Sequence, residues 1–168
     1  MKYDYVPHEM WKELAIDFAK RWLSHDGLWF QAAEKKYGLE EAIELDIEAW
    51  KNQTRLEAKR IMKLLAIEEG GGLDALDTAL AFRMYAFINE QRIERPDANT
   101  LELYMDTCRV QHARERKKMD FFPCKPVGEV EYRYFAETID PEISTECIAC
   151  PPDQHSGAWH CGWRFTKR

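Results

Sequence analysis

The chain has 168 residues, with 24 Lys and Arg against 30 Asp and Glu and a formal net charge of −6. This is the length of one ordinary domain, and an apolar share of 45% with 12% aromatics excludes a disordered chain. The acidic balance argues against nucleic acid as a partner, because a phosphate backbone is bound by Lys and Arg that displace its counterions.

No N-terminal stretch combines a basic start, an apolar run and a small-residue cleavage site. The longest uninterrupted apolar run, Met84-Tyr85-Ala86-Phe87-Ile88, falls far short of the roughly 20 residues of a spanning helix. The expectation is a cytoplasmic protein with no membrane partner. Cysteines stand at 108, 124, 147, 150 and 161. In a reducing compartment such a set is metal-binding, catalytic or buried rather than disulfide-bonded.

The first half reads as helices. Pro7 suits a first helical turn, and Trp11, Leu14, Phe18 and Trp22 make one apolar stripe. Gly27, after His25-Asp26, is expected to end that helix, with a second short helix over residues 28–37 stopped by Gly38. A long helix follows from 39 to about 67. It carries acids early and bases late, both favourable to the helix dipole. One face of it holds Ile43, Ile47, Trp50, Thr54, Glu57, Ile61 and Leu64 and is polar in its middle. Gly70-Gly71-Gly72 breaks it. A further helix is expected from about 73 to 88, with Leu73, Leu76, Leu80, Met84 and Phe87 on its apolar stripe.

The second half changes character. Residues 95–99 read as a turn-rich link. Residues 100 to about 112 alternate like a strand, with Leu101, Leu103 and Met105 on one side. A basic stretch over 114–119 and the segment 129–138 read as helical, the latter ended by Pro141. Residues 143–149 and 159–165 read as two strands of a hairpin. The expected class is therefore α+β in a single domain, with a helical N-terminal half (1–95) packed on a small antiparallel sheet from the C-terminal half (96–168). The long helix leaves a homodimer open.

Phosphate-loop, dinucleotide, zinc-protease and serine-hydrolase motifs are absent. The strongest local signal is Cys147-Ile148-Ala149-Cys150 followed by His155 and Cys161, a spacing suited to a tetrahedral ion such as zinc. The same residues also fit a core: Cys161 shares a strand face with Trp163 and Phe165, and Cys147 and Cys150 fall on opposite faces of a continuous strand. Cys108 and His112 form a second candidate, a thiol beside an imidazole, provided that the segment is helical. On a strand the two would stand about 13 Å apart. His25-Asp26 with Trp29 is a third, as a helix end or the wall of an aromatic pocket.

His25-Asp26-Gly27-Leu28-Trp29-Phe30, Cys108-Arg109-Val110-Gln111, Phe122-Pro123-Cys124, Cys147-Ile148-Ala149-Cys150-Pro151-Pro152-Asp153 and Cys161-Gly162-Trp163-Arg164-Phe165 resemble an uncharacterised prokaryotic family of cytosolic proteins over most of the chain. The second half is more remotely similar to the L-2-amino-thiazoline-4-carboxylate hydrolase family, whose cysteines correspond here to Cys108, Cys124 and Cys161. Cys147 and Cys150 lie outside that pattern. The resemblance implies an α+β architecture and a pocket where distant cysteines converge. In that pocket a small polar heterocycle or amide would be hydrolysed at a C–N or C=N bond. Cys108 would be the nucleophile, His112 or His25 would move protons, and Asp26, Trp29, Cys124 and Trp163 would contact the ligand. Two other classes stay open: a non-catalytic zinc or iron module on Cys147, Cys150, Cys161 and His155, and a ligand-sensing or scaffold domain whose cysteines are core.

Overall fold

In a computed structural model, which describes residues 4–154 and 157–167, two long antiparallel helices come first. They are α1 (Trp11–Tyr37) and α2 (Leu39–Leu65). Gly38, at φ 98°, makes the reversal between them in a conformation that side-chain-bearing residues rarely adopt. Gly27 does not end a helix: α1 runs through it, and the helix expected over 28–37 is its second half. A mid-helix glycine costs only about 1 kcal/mol against alanine, which the packing of α1 on α2 offsets. The buried residues of α2 include Trp50, Thr54, Glu57 and Ile61, so the face with a polar middle is turned inward as far as Ile61, while Leu64, expected on it, is exposed.

Ala66, in the left-handed region, closes α2, and α3 (Gly72–Leu80) follows. The expected continuation to residue 88 does not occur. Arg83 is extended (ψ 150°), and residues 84–87 form a separate 3₁₀ turn. The apolar stripe persists, but Arg83 interrupts the helix for a specific reason. Its guanidinium, 2% exposed, donates through Nε to Glu57 at 2.9 Å and through Nη2 to Glu131 at 2.5 Å. The freed amide of Met84 donates to the other oxygen of Glu57 at 3.2 Å.

Four strands form one antiparallel sheet in the order β1-β2-β4-β3. They are β1 (Gln91–Asp97), β2 (Thr100–Met105), β3 (Ile143–Ala149) and β4 (Cys161–Lys167). The link expected at 95–99 is instead the end of β1 and its turn. Pro96 is tolerated because β1 is an edge strand, and the register slips between Glu94 and Asp97. The strand expected to reach residue 112 stops at Met105. The basic segment after it is α4 (Arg109–Arg116), entered from an extended Cys108. Helix α5 (Lys125–Ile139) starts earlier than its apolar spacing indicates, with a proline in its first turn.

Leu101, Leu103 and Met105 face the core, as their alternation requires. Against them pack Leu76 and Leu80 of α3, Phe135 and Ile139 of α5, and Trp163 and Phe165 of β4. Helix α5 lies on β3, α2 lies on α5, and α1 lies on α2. The architecture is thus α+β, with most helices in the first half and the sheet in the second. Among the described residues no helix is long and apolar enough to cross a membrane.

Arg83 neutralises two carboxylates that have left water together. Replacing it with alanine strands both in the interior, and a loss of about 3–5 kcal/mol is expected. Urea unfolding of Arg83→Ala beside the wild type measures this loss, and Glu57→Gln/Arg83→Met should recover part of it.

Candidate functional site

A cavity of about 400 Å³ opens where the helical half meets the end of the sheet. Helix α1 lines it with Asp26, Gly27 and Phe30, and α2 with Asp46 and Trp50. Tyr85 enters from the 3₁₀ turn. The spacing of Asp26 and Phe30, one helical turn, puts both on the same side of α1. Gly27 beside them leaves the wall open, since a Cβ there would meet only Gln31 at 4.0 Å.

The opposite wall comes from the second half. Cys108, Cys124, Cys150 and Cys161 all line it, with Trp163 of β4 and Glu131 and Tyr132 of α5. Gly128 permits this approach, because a Cβ there would stand 2.5 Å from the Trp163 ring. Trp163 stacks on Tyr132 with centroids 4.7 Å apart, and its indole N–H finds no partner among the described residues.

Two side chains of α4 secure the rim. The Gln111 amide donates to the Phe122 carbonyl at 2.8 Å and accepts from the Phe122 amide at 2.9 Å, which fixes the Phe122-Pro123-Cys124 segment. Arg114 grips Glu34 of α1 through two bonds of 3.0 Å each and donates to the Asp120 carbonyl at 2.7 Å. A bidentate Arg–carboxylate pair holds direction as well as distance. The sequence places Arg114 in a basic stretch and Gln111 at the end of a strand-like run, and neither reading anticipates an interior role. Their burial, at 1% for Gln111 and 7% for Arg114, is decided by the tertiary contact with α1 and the Phe122 segment.

The electrostatics of the cavity are uneven. Burial raises Asp46 to about 7, and the negative neighbours Asp26 and Glu131 add to this, while a hydrogen bond with Trp50 works against it. Burial also raises Asp26, opposed by His25. At the sulfur wall, burial pushes the Cys108 thiol up to about 12, so it is neutral at pH 7.

The expected site residues divide accordingly. Asp26, Cys108, Cys124 and Trp163 stand in one wall or the other. Trp29 does not: it is 68% exposed on the solvent side of α1, because it lies one step round the helix from Phe30. His25 and His112 are exposed and lie outside the cavity wall. Helix α4 does carry Cys108 and His112 at helical spacing, yet their bond is from the His112 amide to the Cys108 carbonyl (2.9 Å), and the imidazole packs near His160 on the surface. Among the described residues no three or more His, Cys, Asp or Glu side chains are grouped to hold a metal ion. Cys147, Cys150 and Cys161 are near one another without forming such a group, and His155 lies outside the described residues. Sequence reasoning missed Asp46, Tyr85 and Glu131. Asp46 was visible only as an acid in the first half of α2, where the helix dipole explains it equally well.

Fold and cavity together define an α+β domain with a small-molecule-sized chamber lined by the carboxylates of Asp26, Asp46 and Glu131, by four cysteines, and by Arg109, Arg114, Arg116 and Lys117 at the α4 side. A family model described as a family of unknown function, DUF6125, matches residues 6–167, and the chain belongs to that family. No curated protein and no solved structure matches it.

Asp46 binds its proton more tightly in the folded chain than in the unfolded one, where its value is near 3.8. Between these values the folded state holds the extra proton, so stability falls as pH rises from about 4 to about 7 and is then constant. Asp46→Asn removes this loss. Its denaturant midpoint should therefore exceed that of the wild type at pH 8, by on the order of 2–4 kcal/mol in stability, and approach it at pH 4.

Proposed function

We propose that this protein binds a small organic molecule carrying a cationic nitrogen, such as a protonated amine or amidine, in the cavity between α1, α2 and α5. The observation that supports this reading most directly is the pair Asp26 and Asp46. Both face a chamber large enough for a small ligand, and the charges acting on Asp46 are themselves negative. A cation seated there favours the ionised form of groups that burial and, for Asp46, neighbouring negative charges hold back from ionising. The rings of Trp50, Tyr85 and Trp163 cover the ligand's apolar body, with the cysteines at its far end.

The reading extends to a reaction, hydrolysis of a C–N or C=N bond in a small heterocycle or amide. Three features support it. Asp46 sits near the pH at which a group both gives and takes protons well. Cys108, Cys124 and Cys161, the positions that resemble the L-2-amino-thiazoline-4-carboxylate hydrolase family, share one wall. The cavity that they line also holds the carboxylates of Asp26, Asp46 and Glu131, and neither His25 nor His112 lines it. In this scheme a cavity carboxylate accepts the proton that the neutral Cys108 thiol must lose as it attacks, and His25 and His112 take no part.

Binding of a cation displaces the Asp46 proton, so affinity should rise between pH 6 and pH 8 and level off above. Calorimetric titration with a panel of small amines and amidines, 2-amino-thiazoline-4-carboxylate among them, checks this. Asp46→Asn should weaken the best ligand at least about tenfold at pH 8. Equal binding by Asp46→Asn, or tighter binding at low pH, would remove the cation reading. Retained turnover in Cys108→Ala would remove the nucleophile.

A further inference from the structure

Cys147 is the one cysteine outside the main cavity. It lines a second groove of about 370 Å³ between α5 and the edge strand β3, beside Lys125, Glu129 and Arg133. Cys150, three residues on, is 1% exposed. On an unbroken strand these two side chains would point to opposite faces. The register of β3 against β4 slips between Cys147 and Ala149, however, which is a β-bulge. One inserted residue reverses the alternation and brings positions three apart to the same side. The bulge places the Cys150 sulfur among those of Cys147, Cys124 and Cys161, which are its electrostatic neighbours. Its sulfur is 3.4 Å from that of Cys124.

We propose that Cys147 and Cys150 form a dithiol–disulfide exchange site, entered from the groove between α5 and β3 and acting on low-molecular-weight disulfides. The two sulfurs differ as such a site requires. Cys147 is half-buried at the groove, where the hydrogen bond from Cys150 and the charge of Lys125 lower its pKa against the opposing effect of burial. Cys150 is enclosed and shares its hydrogen bonds with three other sulfurs, which keep it protonated. A thiolate that can be reached attacks, and a sheltered thiol resolves.

The steps balance. The Cys147 thiolate attacks one sulfur of a disulfide RSSR, forming Cys147–S–S–R and releasing RS⁻, which takes up the proton Cys147 gave to solvent. The Cys150 sulfur then attacks the Cys147 sulfur. It loses its own proton, the Cys147–Cys150 bond forms, and the second RSH leaves. Two protein thiols are oxidised and one RSSR is reduced to two RSH. This site stands apart from the cation reading of the cavity and does not depend on it.

The test uses the full-length reduced protein, folded, with glutathione disulfide as probe. The reaction is quenched in acid, free thiols are alkylated, and disulfides are mapped by peptide mass spectrometry. The expected wild-type product is an internal disulfide between Cys147 and Cys150, with two glutathione molecules released per chain. Cys150→Ser should accumulate glutathione on Cys147, and Cys147→Ser should react at least about tenfold more slowly. The wild-type map needs no variant, so it decides the matter even if Cys150→Ser fails to fold. Three results would overturn the proposal. One is a wild-type reaction that stops at the mixed disulfide or yields an internal disulfide other than Cys147–Cys150, such as Cys124–Cys150. Another is a Cys147→Ser variant as fast as wild type. The third is stoichiometric zinc in the purified protein, with thiols that react only after chelation.

Discussion

The buried ion triad of Arg83 with Glu57 and Glu131 is the constraint on which the arrangement depends. It joins α2, α5 and the turn after α3 at one point, where the guanidinium lies 2% exposed. Three ionised groups leave water there, and only mutual pairing makes that tolerable. The guanidinium also packs against the Phe135 ring at 4.7 Å, so the polar centre is continuous with the apolar core. Thr54 adds a hydrogen bond of 2.9 Å to the Glu131 carbonyl, which fixes α2 along α5. The break in the chain at Arg83 follows from this. A helix continued through residue 83 could not also give the Met84 amide to Glu57.

The cavity follows from the same geometry. Glu131 faces Arg83 and also forms part of the chamber wall, so the triad sets one side of the chamber. With α2 and α5 held together, α1 reaches over from the other side, and Arg114 ties its far half to the second half of the chain through Glu34. Asp26 and Asp46 are thereby enclosed, Asp26 with His25 acting on it and Asp46 with the negative charges of Asp26 and Glu131. In stability terms this is unfavourable, since a carboxylate near 7 is one that burial has penalised.

Much of the fold was legible in the amino-acid order. The alternation Leu101, Leu103, Met105 marks an inward strand face, and the spacing of α2 marks its buried side, including the polar Thr54 and Glu57. Three features were not legible, each because a tertiary contact outweighs the local signal. Gly27 reads as a helix stop, yet α1 is long and packed enough to carry it. Pro96 reads as a link, yet an edge strand has no use for its missing N–H. The apolar stripe runs on past Leu80, yet Arg83 pairs with residues 26 and 48 positions away. Of the site, Asp26, Cys108, Cys124 and Trp163 could be singled out by residue type. Trp29 and the two histidines could be singled out equally well, since residue type says nothing of which side of α1 or α4 meets the interior.

Residue type and periodicity alone establish an α+β chain whose cysteines all lie in its second half. They do so because helix and strand patterns repeat within a few residues and need no distant partner. Only the tertiary structure decides what the cysteines and carboxylates do there. Cys108, Cys124, Cys150 and Cys161 meet in one wall because α5 closes on β4 over Gly128. Cys147 lines a groove of its own, and β3 carries a bulge just after it, before Cys150. Asp46 becomes a group near neutrality only when α1 and α5 remove its water. Each of these is set by elements far apart in sequence, and no local pattern encodes a distance between them.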